Sequence, residues 1–148
     1  MVGVRSVALA PRTRVASVGV VAVGILLASV VDPGSTGAAG STPSFDPPGP
    51  FGVDKWVHAG SYAALALVAT YALAAWTDVT RWGTLLAVVA VVALYGVGIE
   101  VVQATIPARS FDLVDMAANA TGALLAAAGW SLFAPRTAGA SPGVSDSD

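Results

Sequence analysis

The stretch GTLLAVVAVVALYGVGIEVVQATI, residues 83–106, decides the fold. It holds one charged residue, Glu100, and is closed by Pro107. The β-branched run Val88, Val89, Val91 and Val92 would suggest a strand in water, but the segment is too long for one. At about 1.5 Å per residue it spans roughly 30 Å of hydrocarbon as a helix. Inside lipid the backbone must satisfy its own hydrogen bonds, which selects a helix over an open strand.

Three further apolar stretches emerge between charges and Pro/Gly clusters: residues 15–31, residues 56–76 with a tryptophan at each end, and residues 113–134, closed by Pro135. Interfacial aromatic residues of this kind anchor helix ends. The composition agrees. The 148 residues are 55% hydrophobic and only 11% charged, against about 25% charged in a typical soluble domain. Such a chain lacks the polar surface to cover a water-soluble core. The expectation is an all-α polytopic membrane protein, a four-helix transmembrane bundle. With a net charge of −2 and no basic cluster, nucleic acid is not an expected partner. The absence of cysteine excludes disulfides, thiolate nucleophiles and zinc–thiolate sites.

The connector over 32–52, DPGSTGAAGSTPSFDPPGPFG, reads as an exposed loop, and residues 135–148 as a disordered tail. The connectors 78–81 and 108–112 are short, so their flanking helices are antiparallel neighbours. Placing residues 1–14 in the cytoplasm puts Arg5, Arg12, Arg14, Arg81 and Arg136 on that side and leaves Lys55 and Arg109 on the other. The positive-inside rule then predicts an N-in, C-in multi-pass protein of the cell membrane, with loop 32–55 extracytoplasmic. The alternative for residues 15–31 is a cleaved signal peptide, since basic residues precede the apolar run and small ones follow it. Either reading leaves the later topology unchanged.

Under this topology the polar residues of three spans converge. Asp54, Lys55 and His58 open the second, Glu100 and Gln103 close the third with Arg109 after it, and Asp112, Asp115 and Asn119 open the fourth. The spacings i,i+3 and i,i+4 place each set on one face of its own helix. A charged side chain in hydrocarbon costs several kcal/mol unless it faces protein or water, so such residues are functional candidates. Asp54 and Asp112 carry least weight alone, because Asp is common at helix starts for capping and dipole reasons. The small residues Ala59, Ala63, Gly96, Ala118 and Gly122 share these faces and permit close helix packing.

These segments, D-K-W-V-H from Asp54, E-V-V-Q from Glu100 and R-S-F-D-L-V-D-M-A-A-N-A-T-G from Arg109, resemble the VanZ-like family of small membrane proteins over roughly residues 15–134. The resemblance implies a small integral membrane protein, and most such members have no assigned activity. The family's namesake is associated with reduced sensitivity to the antibiotic teicoplanin. This chain departs from it in its compact size, short first span and Gly/Pro-rich loop.

The residues suggest an outward-facing pocket that binds or modifies an envelope lipid or a lipid-linked or glycolipid head group. Lys55 and Arg109 are expected to hold a phosphate or carboxylate. His58, aligned by Asp54, is the expected proton carrier, and Glu100 with Asp115 is expected to bind a cation or polarise the substrate. Gln103 and Asn119 are expected to orient the substrate. Asp112 and Asp115 are candidate ligands of a divalent cation, which would offset the excess of carboxylates. Whether chemistry happens is left open. The rival is a non-catalytic network that holds the helices or a protein partner. A transporter is less favoured, because the inner halves around 69–74, 86–90 and 124–128 are apolar.

Overall fold

The computed structural model describes residues 9–30, 52–107 and 111–134. They form four helices, α1 (Pro11–Val30), α2 (Val53–Leu73), α3 (Trp82–Gln103) and α4 (Leu113–Phe133), with no strand among the described residues. Each is long and apolar enough to cross a membrane. The expected loop over 32–52, save Gly52, the tail after residue 134 and Arg109 lie outside the described residues.

The helix ends differ from the sequence expectation by up to four residues, for local reasons. α1 starts at Pro11 rather than residue 15, a position where a fixed φ suits the helix and the missing N–H is no loss. α2 starts at Val53, after extended Gly52, and stops at Leu73 instead of residue 76. Past Leu73 the bonds tighten, with Ala75 N donating to Ala72 O and Trp76 N to Leu73 O. α3 ends at Gln103, ahead of Ile106, through similar i→i+3 bonds from Thr105 and Ile106. Pro107 ends the turn, disfavouring helical backbone at the residue before it. α4 is capped by Asp112, whose Oδ1 accepts from Val114 N at 2.7 Å.

The helices run alternately up and down. At one end Gln103 Nε2 donates to Ser29 O at 3.0 Å and Lys55 reaches Asp112, joining the end of α1, the start of α2, the end of α3 and the approach to α4. At the opposite end the Arg14 guanidinium lies 4.3 Å over the Tyr71 ring, tying the start of α1 to the end of α2. There too Asp78 Oδ1 accepts from Thr80 N at 2.9 Å and closes the α2–α3 turn.

The core is supplied by Tyr62, Leu65 and Ala66 of α2, Leu85, Val88, Val89 and Val92 of α3, and Ala123, Ala126 and Ala127 of α4. α1 buries no residue fully. It lies against the other helices through Val18, Val21, Ala22 and Ile25, and Tyr95 donates to Ala22 O at 2.6 Å. Val91, Leu94, Leu125, Leu132 and Phe133 point outward, which suits lipid rather than water. The chain is therefore a multi-pass helical membrane protein.

The closest approach is between α2 and α4. A Cβ at Gly122 would lie 2.0 Å from Ala59 O and 2.9 Å from Ala59 Cα, so only glycine lets these backbones meet. Gly122→Ala is expected to lower stability by about 1–3 kcal/mol, the usual cost of overpacking. Gly60→Ala, where an added Cβ meets nothing within 4 Å, is expected to be neutral or mildly stabilising. Thermal unfolding in detergent reads both, and equal losses would remove the close-approach argument.

Candidate functional site

The polar residues of α2, α3 and α4 meet at one end of the bundle. At their centre is Lys55. Its Nζ lies 3.0 Å from Asp54 Oδ2, 2.9 Å from Asp112 Oδ2 and 2.5 Å from Asp115 Oδ1. An ammonium has three protons, and here three carboxylates take them. One turn deeper on α2, His58 Nδ1 lies 3.0 Å from Asn119 Oδ1 and Nε2 lies 3.7 Å from Asp115 Oδ2. An amide oxygen only accepts, so the Nδ1 bond makes that nitrogen the protonated one. Nε2 then carries the free lone pair when the ring is neutral.

Glu100 is 1% exposed. Its Oε2 accepts from Asp112 N at 3.1 Å, so a side chain from the last turn of α3 receives the N–H at the entry to α4. Glu100 lies three residues before the end of α3, about 4.5 Å along the axis. That is half the depth expected from a helix running to residue 106. Its burial comes from lateral packing more than from depth. Oε1 has no hydrogen-bond partner among the described residues, and the same holds for Asn119 Nδ2 and Tyr62 Oη.

Most sequence candidates come together, with partners other than those expected. Asp54 does not align His58. Its side chain is 60% exposed and pairs with Lys55, while Asn119 and Asp115 flank the imidazole. Lys55 is not a free anion-binding group, since its donors are engaged by carboxylates. Asp112 is committed to Lys55 and to capping α4, so a metal site pairing it with Asp115 is not what the geometry assembles. The group whose ligand atoms all lie within 4.8 Å of one another is His58, Glu100 and Asp115. Gln103 is buried but spends its amide on Ser29 O. Arg109 lies outside the described residues.

Sequence reasoning missed Tyr62. It is 1% exposed, one turn below His58 on the same face of α2, and its ring sits 6.3 Å from that of Tyr95. The i,i+4 spacing from His58 was the available signal. Gly96 makes room for it, because a Cβ there would lie 2.9 Å from Tyr62 Cε1 and 3.1 Å from Asn119 Nδ2.

The Lys55 hydrogen bond holds the Asp112 carboxyl below its ordinary value of 3.8. The folded state therefore binds this proton less readily than the unfolded state. The stability so gained is present above the ordinary value and is lost as pH falls through the lower folded value. Lys55→Met leaves its carboxylates uncompensated, and a lower melting temperature is expected at pH 7. The gap from wild type should narrow below about pH 4, where protonation relieves the repulsion. A gap that stays constant with pH in thermal scans would show that Lys55 acts only through packing.

Compared with known protein families, the chain matches the VanZ/LLP1 family model over residues 15–134. That interval takes in all of α2, α3 and α4 and the whole polar cluster. No curated protein and no solved structure matches. The chain belongs to the VanZ/LLP1 family.

Proposed function

We propose that this protein lies N-in, C-in in the cell membrane and uses the cluster on the extracytoplasmic face to bind, and in one form of the proposal to modify, the head group of an envelope lipid or lipid-linked molecule. The observation that carries this reading is a cleft of about 230 Å³ between α2 and α4, lined by Lys55, Trp56, Ala59, Val114, Ala117, Ala118 and Thr121. It is apolar for most of its length and reaches the charged cluster only at Lys55. Trp56 and Val114 are exposed at its edge, so the cleft is open to the surrounding lipid. An acyl or prenyl chain fits such a wall, with its head group beside the carboxylates.

A second cleft of about 110 Å³ leads to the same place from the α1 side, past Ser29, Ser61, Tyr62 and Gln103 to His58. Its lining mixes these polar side chains with Ile25, Ala28 and Val57, and so offers a head group hydrogen-bonding partners that the first cleft lacks. In this reading His58 is the proton carrier, its Nε2 turned toward Asp115, and Glu100 Oε1 and Asn119 Nδ2 offer an acceptor and a donor. With Lys55 held by carboxylates, the cluster favours a head group rich in hydroxyl or amine donors. A phosphate would have to engage Arg109 or displace an aspartate. The orientation rests on Arg14 and Arg81 lying at the opposite end, as cytoplasmic basic residues do.

The second reading is a non-catalytic staple. It is favoured by the bonds from Lys55 to Asp112, Glu100 to Asp112 and Gln103 to Ser29, each of which joins two chain segments at this end. The two readings separate in a lipid screen of the purified protein. Head-group binding predicts a dose-dependent rise in melting temperature, about 2.7 kcal/mol of stabilisation at a hundredfold excess over Kd. His58→Ala and Glu100→Gln are expected to abolish that rise while remaining folded. If no lipid stabilises the wild type and both variants melt lower, the staple reading holds. Tags within 77–81 and 107–112 should report on opposite sides of the membrane, and labelling of both from one side would refute the orientation.

A further inference from the structure

We infer that His58, Glu100 and Asp115 form a binding site for one divalent transition-metal ion, with Asn119 positioning the imidazole. The inference deepens the head-group reading by naming a cofactor for the same cluster; with the ion bound, His58 and Glu100 hold it in place of carrying a proton or meeting the head group directly, and the geometry stands independently of any lipid. Each of three helices contributes one ligand. His58 comes from the second turn of α2, Glu100 from the last turn of α3 and Asp115 from the first turn of α4. Among the described residues, one ligand atom from each lies within 4.8 Å of the other two.

The first argument is the orientation of the imidazole. A metal-bound histidine commonly donates its other ring N–H to an oxygen acceptor, which fixes tautomer and ring plane. His58 does this toward Asn119 Oδ1 at 3.0 Å, and so presents the Nε2 lone pair to the cluster. Nε2 and Asp115 Oδ2 are 3.7 Å apart, too far for a hydrogen bond. Two ligands about 2.1 Å from one ion sit about 3.0–3.4 Å from each other. A small rotation of either side chain closes that difference.

The second argument is Glu100. Its carboxylate is 1% exposed and uses Oε2 for Asp112 N, while Oε1 is buried without a hydrogen-bond partner among the described residues. A buried carboxylate left half-satisfied is costly, and an ion held between the Glu100 carboxylate, His58 and Asp115 removes the cost. Asp115 is divided in the same way, since Oδ1 takes Lys55 and Oδ2 faces His58. Four carboxylates share this end with a single described ammonium, so a dication also lowers the local excess of negative charge. One imidazole with two carboxylates suits Zn²⁺ or Mn²⁺ better than Mg²⁺ or Ca²⁺, which prefer oxygen ligands alone.

The test uses the full chain, purified in detergent, stripped with a chelator and re-equilibrated with Zn²⁺, Mn²⁺ or Mg²⁺. Elemental analysis and melting temperature are the readouts. Wild type is expected to take up about one equivalent of Zn²⁺ or Mn²⁺, with a rise in melting temperature that Mg²⁺ does not reproduce. His58→Ala and Glu100→Gln should lose stoichiometric binding. Asn119→Ala should weaken it about 10- to 100-fold, the usual effect of removing a group that orients a metal-bound histidine. Asn119→Asp, which keeps the acceptor oxygen, should restore it, and Asp78→Asn at the far end should change nothing. Melting curves of the metal-free variants establish which are folded, and the conclusion is drawn from those. Absence of metal from wild type, or binding retained in folded His58→Ala and Glu100→Gln, overturns the inference. A lipid-induced shift that persists in metal-free protein leaves head-group binding standing without the ion. Stoichiometric metal with no lipid response leaves the ion standing without the head group.

Discussion

The contact on which this end of the molecule depends is the Lys55 ammonium, bound by one carboxylate of its own helix and two from the start of α4. An ion pair exposed to water contributes little, because solvent screens it and two long side chains must be immobilised. Lys55 escapes part of that discount. Its side chain is 18% exposed and the Asp115 side chain 16%, and the partners sit at helix starts where anions are already favoured. The pairing also fixes register. α2 and α4 touch backbone to backbone at Gly122 and Ala59, and Lys55 sets how far one helix slides along the other. His58, one turn further along α2, can then reach Asn119, one turn further along α4, with Asp115 on its other side.

Glu100 turns the register of two helices into a three-helix arrangement. Its carboxylate takes the Asp112 backbone N–H, so the end of α3 holds the approach to α4 at the point where Asp112 must turn to meet Lys55. The short 104–112 connection and the buried acid act together. The connection brings the helix ends close, and the acid selects which backbone group docks. Hydrogen bonds to charged groups are the stronger ones in a protein interior. This explains how a chain with few charged residues organises one end so closely while the opposite end relies on Arg14, Tyr71 and a small Asp78 turn.

The fold was readable in the sequence because membrane spans announce themselves by length. Residues 83–106 left no alternative to a helix, and parity then forced the polar ends of three helices together. Helix termini were read less well. α2 begins and ends three residues earlier than its tryptophans suggested, since interfacial anchoring does not require Trp76 to be helical. The shorter α3 also puts Glu100 three residues from its helix end, where a helix running to residue 106 would put it six. For the site, membership was readable and partnership was not. Periodicity assigns His58 to a face, but cannot tell whether Asp54, on the same helix, or Asn119, on another, will hold it. That choice depends on the rotation and slide of α2 against α4, set by Gly122 and Lys55. Tyr62 was passed over because an aromatic residue in an apolar helix looks like core, and only its unpaired hydroxyl sets it apart.

The distinction between a staple and a site rests on what is left over once the staples are made. Lys55, Asp112 and Gln103 spend their side chains on joining segments, and a network that existed only to join helices could stop there. Glu100 Oε1, Asn119 Nδ2 and Tyr62 Oη remain, all buried and unpaired among the described residues. Asn119 Nδ2 and the Tyr62 ring both flank Gly96. Burying such groups is disfavoured by about 1–3 kcal/mol each, and apolar residues would pack the same helices without that penalty. Beside them lie the His58 imidazole, whose Nε2 faces Asp115 Oδ2, and the cleft between α2 and α4. Three of the four such atoms among the described residues fall on neighbouring turns of α2, α3 and α4, the fourth being Trp130 Nε1 further along α4, and leftover polarity so placed is what a bound partner would complete. The joining contacts hold the bundle end together, and in the proposed reading the unjoined atoms are what a head group or an ion would meet.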